Sequence, residues 1–244
     1  MKIKNLILSG LLLGSVASAD NLKQIVSDII PGTTVSKVQY AQLNGLLKAY
    51  LPNGQILYIE PNQKLIFFGE IWTNDGVSVT ALDTQNWQKE LRELEESNII
   101  GTDGKDLVKD SLKLTFGTGS NEYKFVMFTN PFCHNCVDLE NFLKNHNITV
   151  YSNLLHFQGR EAYNLAILDS KNPIKTIEDI QTNKFDISKY SPTQKSKQAL
   201  EKMQQKAQHF NVTFTPKVFV IDKDNKVVSV INGADIQKTK QFIK

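Results

Sequence analysis

The sequence predicts an α+β protein built from two units that are joined by a helix. Residues 20–82 contain short apolar runs separated by turn residues, which is typical of antiparallel strands. Residues 83–104 have the spacing of an amphipathic helix, and residues 105–244 mix strand-like with helical patterns. The length of the chain suggests one large domain or two small ones.

The first 19 residues are predicted to be a secretory signal peptide. Lys2 and Lys4 precede an apolar run over residues 6–16, which ends in the small residues Ala17-Ser18-Ala19. The run is shorter than the roughly 20 residues that a membrane-spanning helix needs, so we expect cleavage after Ala19 and export of the chain.

Charge and cysteine content narrow the classes of function. The 28 Lys and Arg residues nearly balance the 25 Asp and Glu residues, so no nucleic-acid partner is expected. The chain has 2 cysteines, Cys133 and Cys136. A secreted domain stapled by disulfides would carry more cysteines at wider spacing. A bridge across so short a loop would stabilise little, so the pair is predicted to serve chemistry.

In the first unit, residues 21–30 have helical spacing and Pro31-Gly32 ends the helix. Strand-like runs follow at residues 46–50, 56–59 and 64–68, with turns at residues 52–54 and 61–62. A core of about 60 residues is marginal alone, so a partner surface is expected. Phe67, Phe68 and Trp72 belong either to a surface that binds other proteins or to the core, and core packing is the favoured prediction.

The helix within residues 83–104 is predicted to link the two units. Asp83 or Thr84 can cap its start, and Gly101 follows its end. Its apolar positions are Trp87, Leu91, Leu94 and Ile99. The opposite face is charged and is expected to be solvated rather than to bind a ligand.

The second unit is predicted to contain a buried strand at residues 123–129, a helix after the cysteines and a strand at residues 148–157. A long helical stretch is expected over residues 160–209, followed by strands at residues 212–220 and 227–231 and a C-terminal helix. Alternation over residues 112–116 and a glycine-rich turn predict an added hairpin around residues 112–123.

The dithiol Cys133-His134-Asn135-Cys136 is the strongest indication of function. Thiol–disulfide exchange begins when a thiolate attacks a disulfide sulfur. A cysteine at a helix N-terminus has a lowered pKa, because unpaired N–H groups and the helix dipole stabilise the thiolate. We therefore predict that Cys133 is the nucleophile and Cys136 the resolving thiol. His134 and Asn135 are predicted to tune the site, His134 as a nearby cation.

Two other interpretations of the dithiol are a metal half-site and an inert disulfide. A tetrahedral zinc site usually needs four ligands. The four histidines lack a paired spacing with the cysteines. We therefore predict no metal and no cofactor, and the inert disulfide is disfavoured by its short loop.

Thr215-Pro216 is the second feature of the site. Proline is out of place inside a strand pattern unless it lies at a strand start, an edge or a bulge. Either Pro216 simply starts the strand, or a cis Thr215–Pro216 bond lies beside the dithiol and presents the Thr215 backbone to a substrate chain. The second interpretation is favoured, which makes Thr215 and Pro216 predicted substrate-binding residues.

Residues 128–136 resemble the active-site segment of the DsbC/DsbG family of periplasmic disulfide isomerases. Residues 213–220 resemble that family's Thr–cis-Pro loop, and residues 52–80 its N-terminal dimerisation domain. The resemblance implies a small cystatin-like dimerisation domain at residues 20–82, a helical linker at 83–104 and a thioredoxin-like α/β catalytic domain at 105–244.

The resemblance also implies a periplasmic homodimer that acts on misfolded or reduced exported proteins. A membrane redox partner, a DsbD-like reductase, would keep its dithiol reduced. The chain lacks the additional structural disulfide of the best-known members. Three functions follow as hypotheses: an isomerase or reductase of wrong disulfides, a net disulfide-forming oxidase on the same scaffold, and a holdase chaperone that depends little on the dithiol.

Overall fold

The computed structural model describes residues 19–43, 45–156 and 159–243. The predicted signal peptide lies outside the described residues except for Ala19. The chain divides into two compact units, with the boundary between Glu95 and Glu96. Within the described ranges, no helix is long and apolar enough to cross a membrane.

The first unit is a helix packed on a four-stranded antiparallel sheet in the order β1-β2-β3-β4. Its elements are α1 (Ala19–Ile29), β1 (Lys37–Tyr40), β2 (Leu47–Tyr50), β3 (Ile56–Glu60), β4 (Leu65–Phe67) and the start of α2 (Val79–Ile99). Strand β1 was not predicted, because it is four residues long and only its pairing with β2 distinguishes it from a loop.

The side chains of β2 point alternately to the two faces of this sheet. Leu47 and Ala49 share a core cluster with Val26 of α1. On the other face, Tyr50 packs edge-on against Trp87 of α2, with ring centroids 5.2 Å apart. The Trp87 indole N–H donates to the Leu51 carbonyl at 2.8 Å, so the one buried polar atom of this ring is satisfied.

The favoured core placement of Phe67, Phe68 and Trp72 is wrong. These side chains are 47%, 84% and 59% exposed, respectively. The reason is positional: β4 is the edge strand of the sheet, and the turn after it carries Phe68 and Trp72 beyond the reach of the α1 cluster.

The second unit is built on a five-stranded sheet in the order β5-β7-β6-β8-β9. Strands β6 and β7 are parallel, and the other neighbours are antiparallel. Its elements after α2 are α3 (Lys105–Val108), β5 (Leu112–Thr115), β6 (Lys124–Thr129), α4 (His134–Lys144), β7 (Thr149–Leu154), α5 (Glu161–Asp169), α6 (Pro173–Gln181), α7 (Gln194–His209), β8 (Lys217–Ile221), β9 (Val227–Asn232) and α8 (Ile236–Lys240).

Both faces of the central strand β6 are buried. Phe125 and Met127 share a cluster with Leu139 of α4, whereas Val126 and Phe128 belong to a separate cluster on the opposite face. A strand that is buried on both faces consists of a continuous run of apolar residues, and the sequence predicted β6 from such a run. The predicted α+β architecture with two domains is confirmed.

Two local expectations for this unit are wrong. Strand β5 forms no hairpin within residues 112–123, because it pairs antiparallel with β7, with Leu114 opposite Val150. The expected helical stretch over residues 160–209 is three helices, α5 to α7, plus a 3-10 turn at Ile187–Lys189. Pro173 starts α6, and Asn172 caps it by accepting from the Lys175 N–H.

Candidate active site

The dithiol lies where β6 ends and α4 begins. Cys133 is the N-cap residue of α4, with extended backbone angles of φ −84° and ψ 116°, and Cys136 lies in the first turn of the helix. Asn130 shapes the preceding loop. Its Oδ1 accepts from the Phe132 N–H at 2.9 Å, and its Nδ2 donates to the Leu155 carbonyl at 3.0 Å. Asn130 therefore ties the loop both to its own backbone and to the residue that follows β7.

The two thiols differ in exposure although they contact each other. Both are free cysteines; Cys133 is partly buried, and Cys136 is fully buried. Cys136 belongs to the same core cluster as Leu139 and Leu143. Only Cys133 is therefore open to a sulfur atom of another protein.

Burial alone would raise the pKa of the Cys133 thiol, but hydrogen bonds to its sulfur reverse the effect. These come from the Cys136 thiol, the Thr215 side chain and the backbone N–H groups of Cys136 and Asn135, and they leave the Cys133 pKa below its ordinary value. The N–H groups are among those that a helix N-terminus leaves unpaired, and they favour a negative charge.

The Cys136 thiol behaves in the opposite way. Burial and, to a lesser extent, its hydrogen bond with Cys133 raise the pKa of Cys136 to about 12. At neutral pH a group with this pKa stays protonated. The site therefore contains one thiol that ionises readily and one that holds its proton.

The Thr215–Pro216 bond is cis, as the sequence predicted, and β8 begins directly after it. The Cys133 thiol donates to the Thr215 carbonyl oxygen, with Sγ 3.5 Å from that oxygen. Residues that lie 82 positions apart in the chain thus meet at one sulfur atom.

His134 and Asn135 lie on the exposed side of the helix start. The His134 side chain is 89% exposed, and its Nε2 lies 3.5 Å from Asp138 Oδ2 on the next turn. Asn135 contributes its backbone N–H to Cys133, but His134 is not among the groups that shift the pKa of Cys133. A tuning role for the His134 ring remains a prediction.

Sequence reasoning missed two polar residues beside Cys136. Glu140 is buried in α4, and its Oε1 accepts from the Thr129 hydroxyl at 3.0 Å. Thr129, the last residue of β6, also lowers the pKa of the Cys136 thiol against the larger effect of burial. The available indication was the i, i+4 spacing of Cys136 and Glu140, which places both on one face of a helix.

Among the described residues, no group of three or more His, Cys, Asp or Glu side chains is arranged to hold a metal ion.

Residues 14–81 match the family model described as the disulfide bond isomerase protein N-terminal domain. The second domain carries a dithiol at a helix start beside a cis-proline. The family match covers the first domain and does not extend to the domain that carries the dithiol.

Several solved structures are similar to this chain. A disulfide interchange protein from Neisseria gonorrhoeae is 17% identical, with 55% of this chain and 94% of that chain covered and a TM-score of 0.44. The catalytic domain of Proteus mirabilis ScsC is 20% identical, with 56% and 90% covered and a TM-score of 0.42. Helicobacter pylori DsbG is 16% identical, with 82% and 99% covered and a TM-score of 0.37. These values are too low to carry an argument about function. No curated protein matches the chain significantly.

Proposed function

We propose that this protein is a periplasmic thiol–disulfide oxidoreductase that isomerises or reduces wrong disulfides in exported proteins. The observation that carries the proposal is the asymmetric dithiol. Cys133 is accessible with a lowered pKa, Cys136 is buried with a raised one, and Thr215 contacts the accessible sulfur. The predicted signal peptide supports export to the periplasm.

In the proposed reaction, the Cys133 thiolate attacks one sulfur of a client disulfide, and the other client sulfur leaves as a thiolate. If a second client thiolate then attacks the client sulfur bound to Cys133, a new client disulfide forms and Cys133 is regenerated. This is isomerisation, without net oxidation or reduction. If Cys136 instead attacks the Cys133 sulfur, the client is released reduced and the protein holds a Cys133–Cys136 disulfide.

The second route requires an external reductant to restore the dithiol. We propose a membrane reductase of the DsbD-like class as this partner, on the family resemblance. The segment that ends at Thr215 is proposed to bind the client as an extended chain, because its carbonyl already lies at hydrogen-bonding distance from Cys133.

The proposal includes a homodimer formed through the first domain. Leu65, Phe67, Phe68 and Trp72 are all exposed at or beside the edge strand β4. Clustered exposed aromatics and an edge strand are typical of a surface that another chain covers. A second copy of the same chain supplies the same surface, which suits a two-fold interface.

Sedimentation equilibrium tests the dimer. The expected result is a dimer at micromolar concentration for the native chain and a monomer for Phe68→Asp, because a carboxylate in an apolar interface is costly to bury. Tyr40→Asp is the matched control, since Tyr40 is 57% exposed on β1, at the opposite edge of the same sheet. Equal dissociation by both substitutions, or a monomeric native chain, would refute the assignment.

Two alternative functions have specific support. A low pKa at the nucleophile stabilises the reduced dithiol, which makes the corresponding disulfide a stronger oxidant and favours net disulfide formation. The exposed Phe67, Phe68 and Trp72 surface is also suited to holding unfolded chains, as a chaperone does.

Reactivation of a scrambled, wrongly disulfide-bonded substrate separates these functions. The proposal predicts reactivation by the reduced native protein and none by Cys133→Ser. Failure to reactivate, together with oxidation of a fully reduced substrate, would favour the oxidase. Suppression of aggregation that is identical in Cys133→Ser, without any thiol-dependent activity, would favour the holdase.

A further inference from the structure

A groove of about 320 Å³ in the second domain lies beside the reacting sulfur, and the proposed exchange reaction leaves it unused. Its wall is formed by the residues that follow β6 and β7, by the last turns of α7 and by the segment that precedes Pro216. Thr215 belongs to this wall, and its carbonyl also accepts a hydrogen bond from the Cys133 thiol. The groove therefore begins one hydrogen bond away from the nucleophile.

Hydrogen bonds fix the part of the wall that follows β7. The Leu155 carbonyl accepts from Asn130 Nδ2 at 3.0 Å, which ties this part to the loop before the dithiol. Gln204 of α7 donates through Nε2 to the Leu154 carbonyl at 2.9 Å, and its Oε1 accepts from the His156 N–H at 3.3 Å. Because the wall is already ordered, a ligand that enters the groove loses less binding free energy to ordering the protein.

The lining of the groove combines apolar and polar side chains. Its apolar part is formed by Leu155, Ala207, Val212 and Phe214. The polar part consists of amides, hydroxyls and the His156 ring, and the described part of the wall contains no Asp, Glu, Lys or Arg. His156 Nε2 lies 3.6 Å from Glu161 Oε2, so this neighbouring carboxylate disfavours an acidic ligand. A ligand with an apolar body and an uncharged polar tip suits this lining best.

The client chain that Thr215 is proposed to bind would bring its side chains to this surface at regular intervals. In an extended chain each residue advances by about 3.3 Å, and alternate side chains point to the same side. A client cysteine that points toward Cys133 therefore directs the residue two positions away toward the same surface. Four consecutive residues, 212–215, line the groove from Thr215 onwards, so the side chain of that second client residue is within reach of it.

We propose that this groove is a specificity site for the client residue two positions from the disulfide cysteine, and that it takes the side chain of tyrosine. The ring would lie against Leu155, Ala207 and Val212, and the hydroxyl would reach the amides and hydroxyls of the wall. The volume lies at the lower end of the roughly 300–1,000 Å³ of ligand pockets, which suits one large side chain. The inference rests on the proposed function, because the occupant belongs to the client of the same reaction.

The groove adds binding to the exchange reaction and no chemical step. Partial burial of an aromatic ring in an open groove should raise the rate constant of exchange about tenfold over that for alanine. A hydrogen bond from the tyrosine hydroxyl should add about a further twofold, so that phenylalanine ranks between tyrosine and alanine. Glutamate should be no better than alanine, because a charged group gains nothing from the apolar part of the wall.

Short peptides with a single cysteine, linked as a mixed disulfide to thionitrobenzoate, test the proposal on the reduced native protein. Tyrosine, phenylalanine, glutamate or alanine is placed two residues before or two residues after the cysteine in an otherwise constant sequence. Attack by Cys133 on the peptide sulfur releases thionitrobenzoate, whose absorbance gives the rate constant, and attack by glutathione corrects for the intrinsic reactivity of each peptide. We expect the tenfold preference for tyrosine at one of the two positions, since the direction of the bound chain selects one.

Gln208→Trp is designed to fill the groove, because Gln208 is an exposed residue of α7 that lines it. We expect the preference for tyrosine over alanine to fall to about twofold or less. Gln205→Trp is the matched control: Gln205 is exposed on the same helix but does not line the groove, so the native preference should persist. Val212→Ala removes part of the apolar wall without adding bulk, and it should lower the preference about two- to fivefold.

Equal rate constants for the tyrosine and alanine peptides at both positions would overturn the assignment of the groove, as would a preference for glutamate. So would a preference that Gln208→Trp and Val212→Ala leave at its native value, or one that Gln205→Trp lowers equally. Exchange without any preference would leave the proposed function intact. Absence of thionitrobenzoate release that depends on Cys133, with every peptide, is a different result: it would refute the proposed function, and this inference with it.

Discussion

The two cysteines of this site lie three residues apart and differ in almost every physical property. Cys133 caps α4, where hydrogen bonds from the Cys136 thiol, Thr215 and backbone N–H groups outweigh burial and lower its pKa. Cys136 lies one turn later in a core that raises its pKa to about 12. A single helix start thus divides one dithiol into an accessible nucleophile and a protected thiol. The difference arises from the surroundings of each sulfur atom, because the two side chains are chemically identical.

Removal of each sulfur is expected to give the largest and most distinct effects. Cys136→Ser should accumulate mixed disulfides between Cys133 and client proteins, with release by internal resolution slowed about 100-fold or more, because no other cysteine can replace Cys136. Cys133→Ser should form none. Non-reducing electrophoresis with mass spectrometry measures both. Clients bound through Cys136 in the Cys133→Ser variant would contradict the division of roles.

A cavity beside Cys136 should reduce the difference in reactivity between the two thiols. Leu139 is fully buried in the core cluster that contains Cys136. Leu139→Ala should lower the free energy of unfolding by about 2–5 kcal/mol and make Cys136 more reactive to alkylation, because the cavity loosens its cover. Denaturant unfolding and timed alkylation test both parts. Exposed Leu94→Ala is the control and should change neither.

Glu140 should give the smallest effect, a pH dependence of stability. Burial raises the folded-state pKa of Glu140, so its contribution to stability is complete below the unfolded-state pKa and is lost as pH rises through the folded-state pKa. Glu140→Gln should remove this loss and stabilise the protein at alkaline pH by about 1.4 kcal/mol for each tenfold difference between the folded and unfolded acid dissociation constants. Urea unfolding at several pH values measures it. Equal pH dependence in both proteins would contradict the buried-charge account.

The sequence predicted the features that are local in the chain. The continuous apolar run of β6, the cap position of Cys133 and the unusual strand start at Pro216 all follow from nearest-neighbour chemistry. Prediction failed where the position of a strand or side chain depends on contacts with distant segments of the chain. Strand β5 looked like half of a hairpin because its partner β7 is some forty residues away. Phe67 looked like core because the edge position of its strand β4 is not encoded locally.

In the candidate site, too, local features were predictable and contacts between distant segments were not. Spacing alone predicted the roles proposed for Cys133 and Cys136, and a misplaced proline indicated the cis bond near them. The contact of Thr215 with Cys133 and the link from Thr129 to Glu140 join different elements, so only the folded structure reveals them. His134 shows the converse, because its ring is exposed and lies against Asp138 on the next turn although it is adjacent to Cys133 in sequence.

The central claim is that Cys133, and not Cys136, is the ionisable nucleophile. Timed alkylation of the reduced native protein with iodoacetamide, followed by peptide mass spectrometry, tests it across the mildly acidic to alkaline range. The account predicts modification of Cys133 already at mildly acidic pH, with a midpoint below the ordinary cysteine pKa, and protection of Cys136 throughout. Modification of Cys136 first, or equal modification of both at every pH, would contradict it.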